Sequence, residues 1–230
     1  MFQTEEQATR PLREVVYETL RDQILNGQVS DRERLTEPKL SKYFEVSRTP
    51  IREALSKLHG DGLIEKTDYG YAVVTPSLQE LQELYELRVT LELRGISRVL
   101  ENPTLQHDHR VLIAELHYWQ ELEKQSLVPD ASFVLQDERF HIALSRASGN
   151  KQITEALNTV NQRIRAVRMY DFTEPGRIEL TIKEHLNIVE LLLAGDLAQA
   201  LQALHEHVGE SLEVVMERAA KAIARMAIAG

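Results

Sequence analysis

VSRTPIREAL, Val46 to Leu55, is the stretch on which the reading of this chain turns. Ser47 or Thr49 can cap a helix, and Pro50 is tolerated in a first turn, where its missing N–H would have no intrahelical partner. Arg48 and Arg52 then lie one turn apart on the same face near the helix start. Two aligned guanidinium groups suit guanine O6/N7 and phosphate, the groups that the N-terminal part of a helix meets in the major groove. The plainer alternative is a solvated face on which both arginines serve only solubility.

The flanking sequence weighs against that alternative. Leu12, Val15, Val16, Thr19, Leu20 and Ile24 follow helical spacing, and Asn26-Gly27 is a stop signal. Leu40 to Phe44 reads as a short helix and Glu45-Val46 as a turn. The quoted helix runs to about Gly60 and ends at Gly60-Asp61-Gly62. LIEKTDYGYAVV then alternates apolar and polar residues on either side of Asp68-Tyr69-Gly70, which reads as a hairpin. Helix, helix, turn, helix, hairpin is the order of a winged helix-turn-helix.

With 230 residues, 43% of them hydrophobic, the chain can bury more than one core. The division expected is a tail over 1–10, a winged helix over 11–75 and a second domain over 76–230. There is no apolar run long enough for a membrane span, and MFQTEEQATR is polar and acidic, unlike a signal peptide, so a cytosolic protein is expected. The absence of cysteine excludes disulfides, thiol nucleophiles and thiolate metal sites, so any metal must be held by carboxylates and the eight histidines. A net charge of −9 disfavours non-specific attraction to nucleic acid but says little about one face. Residues 1–75 hold 11 Lys and Arg against 13 Asp and Glu, and the rest hold 16 against 23, so the acidity sits mainly outside the winged helix.

After residue 76 the pattern is helical throughout. Segments 78–101, 104–125, 131–147, 151–170, 177–194 and 197–222 are separated by Asn102-Pro103, Pro129, Gly149-Asn150, Pro175-Gly176 and Gly195-Asp196, and the Ala-rich tail from Ala219 reads as a fraying helix end. The second domain is therefore an all-helical bundle and the fold class mainly α. On 131–147, Asp137 and His141 fall in the middle of the stripe Phe133, Phe140 and Leu144. One turn apart on one face, they could share a metal ion. A buried carboxylate needs a cation or several donors, which favours a site over a lone hydrogen-bonded core histidine. His185 lies beside the stripe Ile178, Ile182, Val189 and Leu192. In the last helix His205 and His207 point about 200° apart, and periodicity favours His205. Arg88 shares a sector with Leu81, Leu84 and Leu91, either paired with Glu92 or held for a carboxylate ligand. Arg163 and Arg168 are weaker candidates and read as surface residues.

PLREVVYETLRDQILNGQV, RLTEPKLSKYFEVSRTPIREALSKLHGDGLIEK and YGYAVV together resemble the winged-helix domain of GntR-type bacterial transcription regulators across residues 11–75. The resemblance implies that Ser47, Arg48 and Arg52 contact DNA, with Thr49 beside them, and that the wing at Tyr69, Gly70 and Tyr71 reaches the minor groove. The chain departs from the family at Asp31-Arg32, where Pro-Gly is usual, and at Pro38, often a DNA-contacting Arg. Farther on, ELRVTLE at 86–92, DERFHIAL at 137–144, EHLNIVELLLAGD at 184–196 and ALHEHV resemble the FCD-type effector domain of the FadR-like branch. That resemblance implies a metal site of Asp137, His141, His185 and His207, choosing His207 where periodicity chose His205. One carboxylate and three imidazoles suit Zn²⁺, Ni²⁺ or Mn²⁺.

The function expected is therefore a homodimeric regulator, in the main a repressor. It would bind a palindromic double-stranded DNA operator and respond to a small organic or sugar acid held by the metal, with Arg88 or Arg163 as the effector cation. Two alternatives remain, a metal-dependent hydrolase in which Asp/His₃ activates water and an architectural DNA-binding protein with a structural metal.

Overall fold

The structure, a computed structural model, describes residues 10–25, 28, 29, 33–74, 77–209, 217 and 220. Expectations placed on residues 1–9, Asn26-Gly27, Asp31-Arg32, the junction at 75–76 and most of the chain after Gly209, its Ala-rich tail included, lie outside the described residues. These form two compact units, one of the described residues up to Val74 together with Ala220, the other of those from Ser77 to Glu217.

The first unit is a winged helix-turn-helix. Helix α1 (Leu12–Leu25) buries Val16, Leu20 and Ile24, spaced one turn apart, against Ile51, Leu55 and Leu58 of α3 (Arg48–Gly60). Between them α2 (Glu37–Phe44) begins three residues before the apolar pattern does, because Thr36 caps it by accepting from the Lys39 N–H and Pro38 occupies its first turn. Glu45, at φ 55°, ends α2 in the left-handed conformation. Ser47 takes the extended backbone of an N-cap without a side-chain cap bond, and Thr49 lies inside the first turn of α3. Strands β1 (Ile64–Thr67) and β2 (Gly70–Val73) pair antiparallel from Ile64 opposite Val73 to Thr67 opposite Gly70, leaving Asp68-Tyr69 as the tip. Leu35 adds a bridge that the sequence does not announce, exchanging hydrogen bonds of 2.8 and 2.9 Å with Tyr71. This explains Gly70: its φ is +111°, and a Cβ there would stand 2.6 Å from the Leu35 carbonyl oxygen.

The second unit is helical: α4 (Leu78–Glu101), α5 (His109–Glu123), a 3₁₀ turn (Ala131–Phe133) running into α6 (Val134–Ala147), α7 (Lys151–Asp171), α8 (Arg177–Ala194) and α9 (Leu197–Val208). Helix α5 starts at residue 109, not 104. Asn102 accepts from the backbone and hydroxyl of Thr104 to make a turn, and only Asp108, accepting from the Arg110 N–H, supplies a cap. Helix α4 packs on α7 and α9, α5 on α6 and α8, and α8 on α9. Trp119 of α5 is fully buried, its ring meeting Phe140 edge-on at 5.5 Å. No helix among the described residues is long and apolar enough to cross a membrane.

Candidate metal centre and nucleic-acid interface

Helical periodicity carries Asp137 and His141 inward on α6, and the packing of α8 and α9 brings His185 and His207 to meet them. All four are buried, and one ligand atom from each lies within 4.8 Å of every other. The Nε2 atom of His207 stands 3.1 Å from Nε2 of His185 and 3.2 Å from Nε2 of His141. Asp137 places Oδ2 3.5 Å from His141 Nε2 and Oδ1 3.5 Å from His185 Nε2. His205 is exposed and outside this cluster, so the structure brings in His207 and not the histidine that periodicity favours.

The donor set fits a divalent ion. Ligands on bonds of about 2.1 Å stand about 3.0 Å apart at right angles and about 3.4 Å apart in a tetrahedron, which matches this spacing. Asp137 Oδ1 is buried with no hydrogen-bond partner among the described residues, an acceptor that a cation would satisfy. The backs of the rings are braced. His207 Nδ1 lies 2.7 Å from Glu184 Oε2, and His141 Nδ1 contacts Glu92 Oε2. Phe140 stacks on His185 with ring centroids 3.7 Å apart, and Trp119 meets it edge-on at 4.3 Å. Carboxylates behind ligating imidazoles fix the ring orientation and make the facing nitrogen a better donor.

Electrostatics divides the three imidazoles. Burial, reinforced by His207, holds His185 well below its ordinary pKa, and burial lowers His207 too despite Glu184. A lowered pKa favours the neutral imidazole that ligation requires. Burial also acts against a charged His141, but Glu92 and Asp137 outweigh it and raise that pKa. Burial pushes the Asp137 carboxyl up, yet Arg168 and His141 together hold it well below the usual carboxylate range. Glu92, likewise opposed by burial, is brought to about 2 by His141 and Arg88.

Arg168 was expected on the surface and is buried, bonding Asp137 Oδ2 through Nη2. Its Nη1 is buried without a hydrogen-bond partner among the described residues. Arg88 is also buried, its Nε donating to Glu92 Oε1 at 2.6 Å, so the internal pair with Glu92 is the arrangement present. Both arginines line a cavity of about 20 Å³ with Tyr85, Arg177 and His207, room for a water-sized group. Arg163 does not join them: its side chain is 54% exposed and pairs with Glu80. Sequence reasoning placed Arg168 on the surface and missed Glu184. Each left a signal, Arg168 standing four residues after buried Ile164 and Glu184 immediately before His185.

In the first unit Ser47, Arg48 and Thr49 are exposed at the start of α3, with Arg52 exposed on the next turn. Tyr69 is 82% exposed at the tip of the hairpin, while Gly70 and Tyr71 follow in β2. Tyr71 is half-buried, its ring 6.0 Å from that of His59.

A winged helix-turn-helix with an exposed arginine pair, joined in one chain to a helical bundle around buried histidines, defines a class of transcription regulator. Residues 12–70 match the bacterial regulatory proteins of the gntR family, and residues 83–210 match the FCD domain. The chain belongs to the GntR family of transcription regulators and carries an FCD domain, which sets aside the hydrolase alternative. It is 29% identical over 200 residues to the HTH-type transcriptional regulator YdhC of Bacillus subtilis, covering 86% of this chain and 88% of that one. It is 26% identical over 225 residues to the HTH-type transcriptional repressor RspR of Escherichia coli, covering 94% and 93%. Among solved structures, one described as Lar, which controls the agr system of Listeria monocytogenes, superposes with a TM-score of 0.61 at 20% identity, over 92% of this chain and 98% of that one. That likeness speaks to the fold alone. Metal binding is a known property of FCD domains, and the Asp137, His141, His185 and His207 cluster is a possible site for it.

Proposed function

We propose that this regulator is a cytoplasmic, homodimeric repressor whose hold on a palindromic operator is set by a small organic or sugar acid bound at a divalent metal, Zn²⁺, Ni²⁺ or Mn²⁺. The observation that carries the reading is the convergence of four buried donors beside a buried guanidinium with an unspent donor, Arg168 Nη1. Asp137, His141, His185 and His207 hold the ion, which supplies a Lewis-acidic anchor for a carboxylate. Glu92 and Glu184 orient His141 and His207. Arg168 holds Asp137 through one nitrogen and offers the other to the acid, replacing Arg163 in the role first assigned to an effector cation. Arg88, which lines the same cavity, adds positive charge while bound to Glu92. Since that cavity admits only a water-sized group, the acid must bind by repacking its walls. At the other end of the chain, Arg48 and Arg52 read or clamp the major groove, Ser47 and Thr49 contact its edge, and Tyr69, Gly70 and Tyr71 reach the minor groove. The relationship to RspR supports the repressor reading.

The test uses the purified full chain: elemental analysis for metal, solution mass for the dimer, then calorimetric titration of a small-acid panel with and without operator DNA. An acid that binds the metal-loaded protein and shifts operator affinity, by the same factor with which operator shifts acid affinity, supports the reading. Operator binding indifferent to every acid, in a protein that takes up metal, would leave a structural metal and overturn effector control.

A further inference from the structure

Arg52 is held. Its Nε donates to Glu37 Oε1 at 2.8 Å and its Nη2 to Glu37 Oε2 at 3.0 Å, a two-point pair between helices 15 positions apart in sequence. The Arg52 side chain is 69% exposed, and surface ion pairs of this kind contribute little to stability. Leu40 of α2 and Ile51 and Leu55 of α3 already supply buried apolar residues where these helices pack. Stability therefore gives little reason for the pair, and its geometry offers another.

A guanidinium has five N–H donors in one plane. Glu37 takes the side edge, Nε–H and one Nη2–H. Left free among the described residues is the end edge, a parallel fork of one Nη1–H and one Nη2–H, the pattern that matches guanine O6 and N7. Glu37 is itself fixed, because it opens α2 between the capping Thr36 and Pro38. The Arg52 hydrogen bond, against slight desolvation, lowers the Glu37 pKa.

We propose that Glu37 is a specificity-determining positioning residue: it aims the free edge of Arg52 at a guanine and penalises every arrangement in which Arg52 turns away. If Arg52 swings to a phosphate, an unpaired carboxylate is left facing polyanionic DNA, a repulsive element against wrong sites. Glu37 thus lowers affinity for DNA in general and raises discrimination at one base pair. The inference rests on the recognition-helix reading of α3 and adds to it a residue of α2.

The experiment uses the full chain and an operator selected in vitro from random duplexes. Fluorescence anisotropy compares that operator with variants mutated one base pair at a time and with a random duplex, for wild type, Glu37→Gln, Arg52→Ala and the double variant. The expected result is that Arg52→Ala abolishes the preference for one guanine. Glu37→Gln should reduce that preference about tenfold, bind the random duplex severalfold more tightly and melt within a degree or two of wild type. In the double variant the Glu37 change should alter the base preference no further. Glu37→Ala should behave as Glu37→Gln does, which ties the effect to the lost carboxylate. If Arg52→Ala keeps the full base preference, the recognition-helix reading falls and the proposal with it. If Arg52→Ala loses the preference while Glu37→Gln keeps it intact, α3 still reads the operator and the proposal alone is wrong.

Discussion

Replacing Glu184 by glutamine would test the metal centre without touching a ligand. Glu184 Oε2 accepts from His207 Nδ1 at 2.7 Å, which commits the proton to that nitrogen and turns the Nε2 lone pair toward His141 and His185. Glutamine keeps an acceptor of nearly the same shape but removes the charge that enriches the imidazole. Losing such a partner typically costs 10- to 100-fold in metal affinity. The Glu184 side chain is 29% exposed and Arg177 stands 3.8 Å away, so its charge is partly screened. The loss should therefore fall at the lower end, about 10- to 30-fold, or roughly 1.4 to 2 kcal/mol. Competition against a chromophoric chelator reads it directly. Glu206→Gln, on an exposed residue of the same region of α9 bonded to Gln202, is the control and should change nothing. A Glu184→Gln dissociation constant within threefold of wild type, for every ion the protein takes up, would refute the claim that His207 is a braced ligand.

His207→Ala should abolish stoichiometric metal in elemental analysis while the exposed His205→Ala keeps it; the reverse would return the choice to helical periodicity. Arg168→Met should weaken acid binding in calorimetry at least tenfold, whereas Arg163→Ala should leave it unchanged, and an equal effect of both would deny Arg168 its role. Tyr17→Phe removes the buried 2.6 Å bond from the Tyr17 hydroxyl to Asp61 Oδ2 and should destabilise the winged helix by about 1–3 kcal/mol in denaturant unfolding; no change would show that Asp61 is satisfied without it.

Much of this molecule was legible in the sequence where one period or one short motif dominates. Val46 to Leu55 specified the start of α3 to within two residues, leaving Ser47 and Thr49 open as caps, because a first-turn proline leaves the chain few alternatives; the structure chooses Ser47. The hairpin was equally plain. Local signals failed where the deciding partner lies far along the chain. The Leu35 bridge depends on Tyr71, and nothing near Leu35 announces it. Residues 104–108 were read as the first turn of a helix because Asn102-Pro103 is the nearest break, yet the cap that starts α5 is Asp108. In the metal cluster, periodicity brought Asp137 and His141 together, since both sit on one helix. It pointed to His205 rather than His207, because which of the two is buried follows from how α9 packs on α8 and α4. Arg168 was misjudged for a general reason: charge suggests solvent, and only tertiary structure shows that Asp137 waits for it.

The chain has no cysteine, yet the four candidate ligands join positions 22 and 66 residues apart. An ion held there acts as a removable cross-link between α6, α8 and α9. On the chain-entropy view, tying residues 66 apart is worth about 4 kcal/mol, comparable to a disulfide around a loop of that length. Unlike a disulfide, this staple opens without a change of redox state, by dilution, chelation or acid. Metal supply would then govern how firmly α9 is fastened to the bundle, so that the same domain could register the availability of an ion as well as the presence of an acid.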